Sequence, residues 1–293
     1  MRALHINIRV IIVFIWMITA GFYIRYEAYP VWFTRTLPGY RGLLPDELLT
    51  RESWKIIRIN EQPAGYVHTI FTMDDDAPDP VLEITTRMQM RVSILQSVQT
   101  INVFSEIFLD QDYLPQRFTL STSAGDFALR VQGEHTGDRQ FTVTTTSGTS
   151  TTTRIITLPR DIVFYSPVYE LAIQQLRPGR SLSIRTLDPL TLQTTTLMVT
   201  AGTREMIELD GRQVRALPLE THWQGLILRS WINDAGLVLR QETPFGWTME
   251  TAQPEQAVEA VSNTQPAPPL LPGVAGISLL QTLIGARTTQ ERP

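Results

Sequence analysis

The four histidines of this chain are its first candidates for catalysis or metal binding. A serine–histidine–aspartate hydrolase needs a nucleophile elbow or an equivalent constellation, and no Gly-x-Ser-x-Gly occurs. No histidine has a sequence neighbour at metal-ligand spacing. We therefore interpret His68, His135 and His222 as solvated or strand-edge residues, and His5 as a residue on the cytoplasmic side of an apolar segment.

An aspartate cluster offers oxygen ligands that suit calcium. Asp74–Asp76 and Asp79 lie close together, but they lack the spaced ligands of a calcium loop, and Pro78 and Pro80 stiffen the segment. A solvated hairpin turn is the favoured interpretation.

Paired carboxylates and lysine are the remaining catalytic possibilities. Glu83, Glu106, Asp110 and Asp112 could serve glycoside chemistry, yet nothing local pairs them. Lys55 is the only lysine and lies in a predicted strand, which argues against lysine catalysis. The chain has no cysteine, which excludes thiolate catalysis, disulfides, cysteine zinc sites and a lipid-modified N-terminus. We predict no catalytic residue, cofactor or metal.

One strand face has a composition suited to an apolar ligand. Ile84, Met88, Met90 and Val92 share that face, and methionine gives it a flexible, polarizable lining. In an open barrel these side chains would line a groove, whereas in a closed sandwich they would be ordinary core.

The elements that position these residues are predicted from period-two alternation of apolar and polar side chains, which is typical of half-buried strands. Turn sequences separate the runs, and Pro167–Leu176 alone has helical spacing. We predict a mainly β fold: a twisted, strongly curved antiparallel sheet of about 10–12 strands, an incomplete barrel with one inserted helix. The predicted strands are Trp54–Ile59, Gly65–Met73, Ile84–Val92, Val98–Leu109, Arg117–Ser121, Phe127–Val131, Gln140–Thr146, Thr153–Leu158, Ser181–Leu187, Thr194–Ala201, Glu205–Leu209, Arg212–Leu217, Gly225–Ile232 and Leu237–Glu242.

An apolar N-terminal segment sets the expected location of this β domain. Ile6–Ile24 holds one charge, Arg9, and spans about 28 Å as a helix, close to the thickness of a bilayer core. The positive charges before it favour a cytoplasmic N-terminus and an extracytoplasmic body. A cleaved signal peptide is the alternative, because Thr19–Gly21 offers small residues to a peptidase.

The chain divides into four zones. Residues 1–25 form the predicted transmembrane signal anchor, 26–50 an aromatic juxtamembrane connector, 51–251 the β domain and 252–293 a tail rich in Pro, Gln and Ala. In the tail, Gln253–Pro272 is typical of a flexible linker, and the apolar run Val274–Ala286 is too short to span a membrane. The net charge of −4 has no basic run, so nucleic-acid binding is excluded.

Several short motifs recur at the turns and strand ends of the body: Glu52–Trp54 with Ile59, Ala64–His68, Pro178–Gly179 with Leu187–Pro189, Glu208–Gly211 and Trp231–Val238. They resemble the opening hairpin, mid-domain turn and closing strands of bacterial extracytoplasmic domains found beside transglutaminase-like proteases. These domains are similar in outline to the periplasmic lipoprotein-carrier superfamily. The resemblance implies an incomplete β-barrel with an apolar groove for acyl chains over residues 50–251, although no segment matches the carriers' long helical lid.

These observations predict a membrane-anchored extracytoplasmic module of the bacterial envelope that binds a lipid, another apolar ligand or an envelope protein. The predicted groove residues are Ile84, Met88, Met90 and Val92. Two alternatives stay open: an envelope hydrolase that uses carboxylates, and a purely structural accessory protein.

Overall fold

The computed structural model places most of the predicted β domain in one large sheet. Within the described residues, the chain forms a 17-stranded sheet, a 3-10 helix at Gly39–Gly42 and an α-helix, α1, at Pro254–Ser262. The structure describes residues 35–36, 39–42, 51–74, 81–94, 97–164, 176–187, 191–209, 211–223, 225–234, 237–243 and 246–262.

All the predicted strands are present, and many extend further than the alternation indicates. Three short strands, β1, β10 and β17, were not predicted. The strands are β1 (Arg35–Thr36), β2 (Arg51–Ile59), β3 (Gln62–Asp74), β4 (Val81–Ile94), β5 (Ser97–Leu109), β6 (Pro115–Ala124), β7 (Phe127–Gly137), β8 (Gln140–Ser147), β9 (Ser150–Thr157), β10 (Ile162–Phe164), β11 (Ser181–Leu187), β12 (Thr194–Ala201), β13 (Glu205–Leu209), β14 (Arg212–Trp223), β15 (Leu226–Ile232), β16 (Val238–Glu242) and β17 (Trp247–Thr251).

The strand order runs from β1 and β10 through β11 to β17, and then from β2 to β9. Strand β17 pairs antiparallel with β2, which joins the late strands to the early ones. The predicted antiparallel pairing holds except at one end, where β1 and β10 both pair in parallel with β11. The parallel β10–β11 pair is possible because residues 165–180 separate the two strands, long enough for a crossover.

The sheet curves so that residues far apart in strand order come into contact. Phe118 of β6 and Phe164 of β10 have ring centroids 4.4 Å apart, although β6 and β10 belong to distant parts of the strand order. We call the face that carries them the inner face; Phe71, Ile84 and Ile107 are on the same face by register. The prediction of a mainly β fold whose large sheet is not closed into a barrel is confirmed.

Two apolar clusters occupy the inner face. The upper cluster surrounds Phe118, Phe164 and Ile84 and draws residues from both ends of the strand order. Tyr40 is buried within it, and its hydroxyl accepts a hydrogen bond of 3.0 Å from the Phe164 N–H. The lower cluster lies further along the same strands and comprises Ile57, Ile59, Ala64, Val67, Met90, Val92 and Ile101.

Helix α1 covers part of the opposite, outer face. Its Ala257 and Ala260 pack against Ile56 of β2. The helix begins at Pro254, a favourable first helical residue, and the Gln253 N–H donates a 3.2 Å hydrogen bond to Gln256 Oε1 in the manner of a capping box. The first part of the predicted flexible linker is therefore helical, because its alanines have an apolar surface to pack against.

Several sequence predictions fall outside the described residues. They are the anchor over 1–25, most of the connector over 26–50, the aspartates at 75–76 and 79, and the tail beyond 262. The predicted helix at 167–176 is described only at Leu176, which packs against the upper cluster. No helix in the described part of the chain is long and apolar enough to cross a membrane.

Candidate ligand-binding site

The four residues predicted to line a groove all lie on the inner face of β4, but they are shared between the two clusters. Ile84 belongs to the upper cluster, whereas Met90 and Val92 belong to the lower cluster. Met90 and Val92 are fully buried, and Met88 is half-buried against the lower cluster. Met88, Met90 and Val92 are therefore brought together, and Ile84 is separate from them.

The lower cluster extends beyond β4 to both neighbouring strands and to β17. Val67 of β3 lies opposite Met88, and Ile101 of β5 lies opposite Met90. Trp247 and Met249 of β17 also pack against this cluster. Two unbranched methionines, Met88 and Met249, thus lie at its partly buried edge, where a deformable surface can fit ligands of varied shape.

A glycine fixes the close approach of β3 to β4 at this cluster. Gly65 lies opposite Met90 in the antiparallel register. A Cβ atom on Gly65 would come within 2.0 Å of the Gln89 carbonyl oxygen and 2.7 Å of the Met90 Cα. Since both contacts are with backbone, no side chain fits there without a shift of β4.

A row of polar residues crosses the inner face between the two clusters. Thr69 of β3, Thr86 of β4 and Ser105 of β5 lie opposite one another in register and form this polar row. Lys55 of β2 lies beside the row, one inward-facing position toward the lower cluster, opposite Val67. Lys55 is only 5% exposed, Thr69 1% and Ser105 6%. The Thr69 and Thr86 hydroxyls are 3.4 Å apart. A core made only for packing rarely buries so many polar groups side by side.

Four buried hydroxyls on the inner face have no hydrogen-bond partner within the described residues, and one of them is that of Thr186 on β11. Ser105 belongs to the polar row, and Thr221 and Ser230 lie on β14 and β15. Buried hydroxyl groups are normally hydrogen-bonded, and an exception calls for a physical explanation. These groups are acceptors and donors that a polar ligand atom can satisfy.

A different polar group lies on the outer face beside α1. The indole N–H of Trp54 donates a 2.8 Å hydrogen bond to Glu52 Oε1, and His68 Nε2 donates to the same oxygen at 2.7 Å. The Trp54 and His68 rings stack with centroids 3.8 Å apart. The hydrogen bond from Trp54, and after it the one from His68, holds the pKa of the Glu52 carboxyl below its usual range.

The histidines and carboxylates do not assemble a recognisable reaction centre within the described residues. His68 binds Glu52, His135 lies beside the Phe141 ring, and His222 is 3.9 Å from Glu220. No group of three or more His, Cys, Asp or Glu side chains in the described part of the chain could hold a metal ion.

The carboxylates considered for glycoside chemistry have local structural contacts. Asp110 accepts backbone hydrogen bonds of 2.9 Å from Asp112 and Leu114 and one of 2.7 Å from the Gln116 side chain. Glu83 accepts a hydrogen bond of 2.8 Å from the Thr85 hydroxyl. These contacts stabilise a turn and a strand rather than orient two carboxylates toward a shared substrate.

Sequence reasoning missed the polar row and the β17 contribution to the lower cluster. The alternation of Trp247 and Met249 with Thr248 and Glu250 could have identified β17, although five residues give a weak signal. No local signal could have shown that Lys55 faces inward, because the residues on either side of it, Trp54 and Ile56, are apolar although they face outward.

Comparison with known proteins assigns no family. No protein-family model and no curated protein matches the chain. A β-barrel-like protein of the domain of unknown function DUF1849 from Brucella abortus is similar at 12% identity and a TM-score of 0.46, covering 70% of this chain and 95% of that chain. A DUF1089 family protein from Pseudomonas aeruginosa is similar at 14% identity and a TM-score of 0.31, and the match covers 70% of this chain and 94% of that chain. Neither likeness assigns a function to this chain, and neither provides evidence for a link to transglutaminase-like proteins.

Proposed function

We propose that this protein is a membrane-anchored extracytoplasmic binding module of the bacterial envelope that holds a lipid or another apolar ligand on the inner face of its sheet. The observation that carries the proposal is the lower cluster. Met88, Met90 and Val92 meet apolar side chains from β2, β3, β5 and β17 on the inner face of a sheet that is not closed into a barrel.

The chemistry of the lower cluster supports a ligand with a flexible apolar tail. Small-molecule sites are concave and mostly apolar, with a few placed polar groups. The lower cluster supplies the apolar surface, and the polar row at its end supplies the polar groups. Met88 and Met249 are half-buried, so they lie where a ligand can reach them.

The apolar segment Ile6–Ile24 supports the anchored, extracytoplasmic part of the proposal. Its length suits a bilayer, and the positive charges before it favour a cytoplasmic N-terminus. A binding site next to a bilayer would exchange apolar ligands with it directly.

The test is photolabelling of the full chain in membranes with hexadecanol that carries a diazirine in its tail. We expect labelled peptides from β4, β5 and β17, and loss of labelling at those sites in Met88→Asp and Met90→Asp, because an unpaired carboxylate is costly in an apolar site. Gln89→Asp is the matched control, since Gln89 lies on the outer face of the same strand.

Protease resistance of the β domain separates binding from folding in this test. Loss of labelling in a Met88→Asp chain that stays resistant supports a ligand site. Global loss of resistance in both methionine variants, with no labelling of β4, β5 or β17 in the unmodified chain, would instead identify the lower cluster as ordinary core.

A further inference from the structure

We propose further that the ligand is an amphiphile with a carboxylate head, and that Lys55 and the polar row bind this head while the tail lies along the lower cluster. This inference rests on the proposed function and specifies its ligand class. It is carried by the burial and placement of Lys55, Thr69, Thr86 and Ser105 on the inner face.

Lys55 brings a cation into an otherwise apolar part of the inner face. It lies opposite Val67 of β3, which in turn lies opposite Met88 of β4, and only 5% of Lys55 is exposed. A buried ammonium group requires hydrogen-bonding or anionic partners. Its three N–H donors allow it to hold a ligand carboxylate in addition to acceptors from the protein.

Ser105 supplies a second, independent indication of a polar ligand atom. Its hydroxyl is buried on the inner face and has no hydrogen-bond partner among the described residues. An ionised carboxylate accepts several hydrogen bonds, so it can satisfy this hydroxyl together with donors from its neighbours. Thr69 and Thr86, whose hydroxyls are 3.4 Å apart, continue the polar row from Ser105 toward β2, where Lys55 lies one inward-facing position nearer the lower cluster.

The order of residues along β4 matches the order of groups in such a ligand. Thr86 of the polar row is followed on the same face by Met88, Met90 and Val92 of the lower cluster and its edge. This stretch is about 20 Å long at roughly 3.4 Å per residue. A carboxylate at Thr86 would therefore place a long alkyl tail along the methionines.

The experiment compares two photoactivatable probes with the same alkyl tail, palmitic acid and hexadecanol, on the full chain in membranes at mildly alkaline pH. At this pH the free carboxyl is ionised. We expect the acid to reach half-maximal labelling of β4 and β5 at a concentration about tenfold lower than the alcohol, as expected for charge-assisted hydrogen bonds.

Substitutions of Lys55 and of Ser105 in the polar row show which residues cause this preference. Lys55→Met should remove the preference for the acid over the alcohol, whereas Lys55→Arg should retain most of that preference. Ser105→Ala should reduce the preference a few-fold. Arg130→Met is the matched control, because Arg130 is an exposed cation on the outer face of β7.

The outcomes separate this inference from the proposed function. Equal labelling by acid and alcohol, unchanged in Lys55→Met, would overturn the carboxylate assignment while leaving an apolar site. Absence of labelling by both probes would overturn the proposed function and this inference together. If Lys55→Met loses its protease resistance, Ser105→Ala decides: a reduced acid preference supports the assignment, and an unchanged one overturns it.

Discussion

At Glu52, one carboxylate on the outer face ties two side chains of the first hairpin together. Trp54 and His68 both donate hydrogen bonds to it, and their rings stack on one another. The contact lies beside Ile56, where α1 packs. Glu52 therefore belongs to the structural support of the hairpin, and its chemistry is distinct from that of the inner face.

We predict that Glu52→Gln lowers the stability of the β domain at neutral pH. The pKa of Glu52 is lowered in the folded chain, so the ionised carboxylate stabilises the fold above its unfolded pKa. This contribution is lost as the pH falls through the folded pKa, and the difference between variant and parent should vanish there. The measurement is the urea midpoint by pulse proteolysis of the full chain as a function of pH.

The matched control for this prediction is Glu134→Gln on the exposed part of β7. It should leave the midpoint unchanged at every pH. A Glu52→Gln deficit that persists undiminished in acid would contradict the assignment of the effect to the carboxylate charge.

The orientation of Lys55 is a feature of a single residue that could not be predicted from the sequence. In β2, Trp54 and Ile56 face α1 on the outer side, and Ile57 and Ile59 face the lower cluster on the inner side. Because both faces of this strand are apolar, alternation cannot tell which face carries the lysine. The face of Met88 and Met90 was predictable, since Arg87, Gln89 and Arg91 mark the opposite side of β4.

At the scale of secondary-structure elements, the pairing of β3 with β4 depends on the absence of a side chain at Gly65. We predict that Gly65→Ala destabilises the fold by more than about 3 kcal/mol, because a Cβ there meets the backbone of Gln89 and Met90. Pulse proteolysis in urea measures this loss in the full chain.

Gly148→Ala is the control for the loss of a glycine as such. Gly148 has a φ of +57° and no atom within 4 Å of an added Cβ, so alanine there should cost about 1–2 kcal/mol from backbone strain alone. If Gly65→Ala is no more destabilising than Gly148→Ala, the close approach of β3 to β4 does not set the register.

The helix and strands that were not predicted are those stabilised by residues far away in the sequence. Helix α1 lies in a segment rich in Pro, Gln and Ala, and the apolar surface on which Ala257 and Ala260 pack comes from β2 and β3, with Ile56 and Tyr66. Strand β10 has three residues, all buried, and pairs with β11 across residues 165–180. Long alternating strands such as β4 and β5 were predictable because their period is local.

At the scale of the whole molecule, the curvature of the sheet was predictable, but the contacts between strands that lie far apart in the strand order were not. Many antiparallel strands with few covering helices require a curved sheet that buries one face. The contact of Phe118 with Phe164, and the hydrogen bond from Phe164 to Tyr40, join segments that are far apart in sequence. No local pattern encodes such pairs. The predicted number of about 10–12 strands was also too low, since the sheet has 17 strands within the described residues.

The orientation of the whole chain across the membrane is testable because the chain has no native cysteine. We predict that Asp126→Cys, in an exposed turn between β6 and β7, reacts with a membrane-impermeant maleimide in intact spheroplasts. The physical reason is the positive charge before the apolar segment Ile6–Ile24, which favours a cytoplasmic N-terminus.

His5→Cys is the control on the predicted cytoplasmic side and should react only after the membrane is permeabilised. Reaction at His5→Cys in intact spheroplasts, with protection at Asp126→Cys, would show the opposite orientation.

The central claim, that the inner face holds an apolar ligand beside Met88 and Met90, is tested most directly by measuring the lipid that the protein retains. Three full-length proteins, the unmodified chain, Met90→Asp and Gln89→Asp, are purified from membranes by the same procedure. The amphiphiles bound to each protein are quantified by mass spectrometry. The account predicts a stoichiometric amphiphile in the unmodified chain and in Gln89→Asp, and its loss from Met90→Asp that still resists protease. Equal lipid content in all three folded proteins would contradict it.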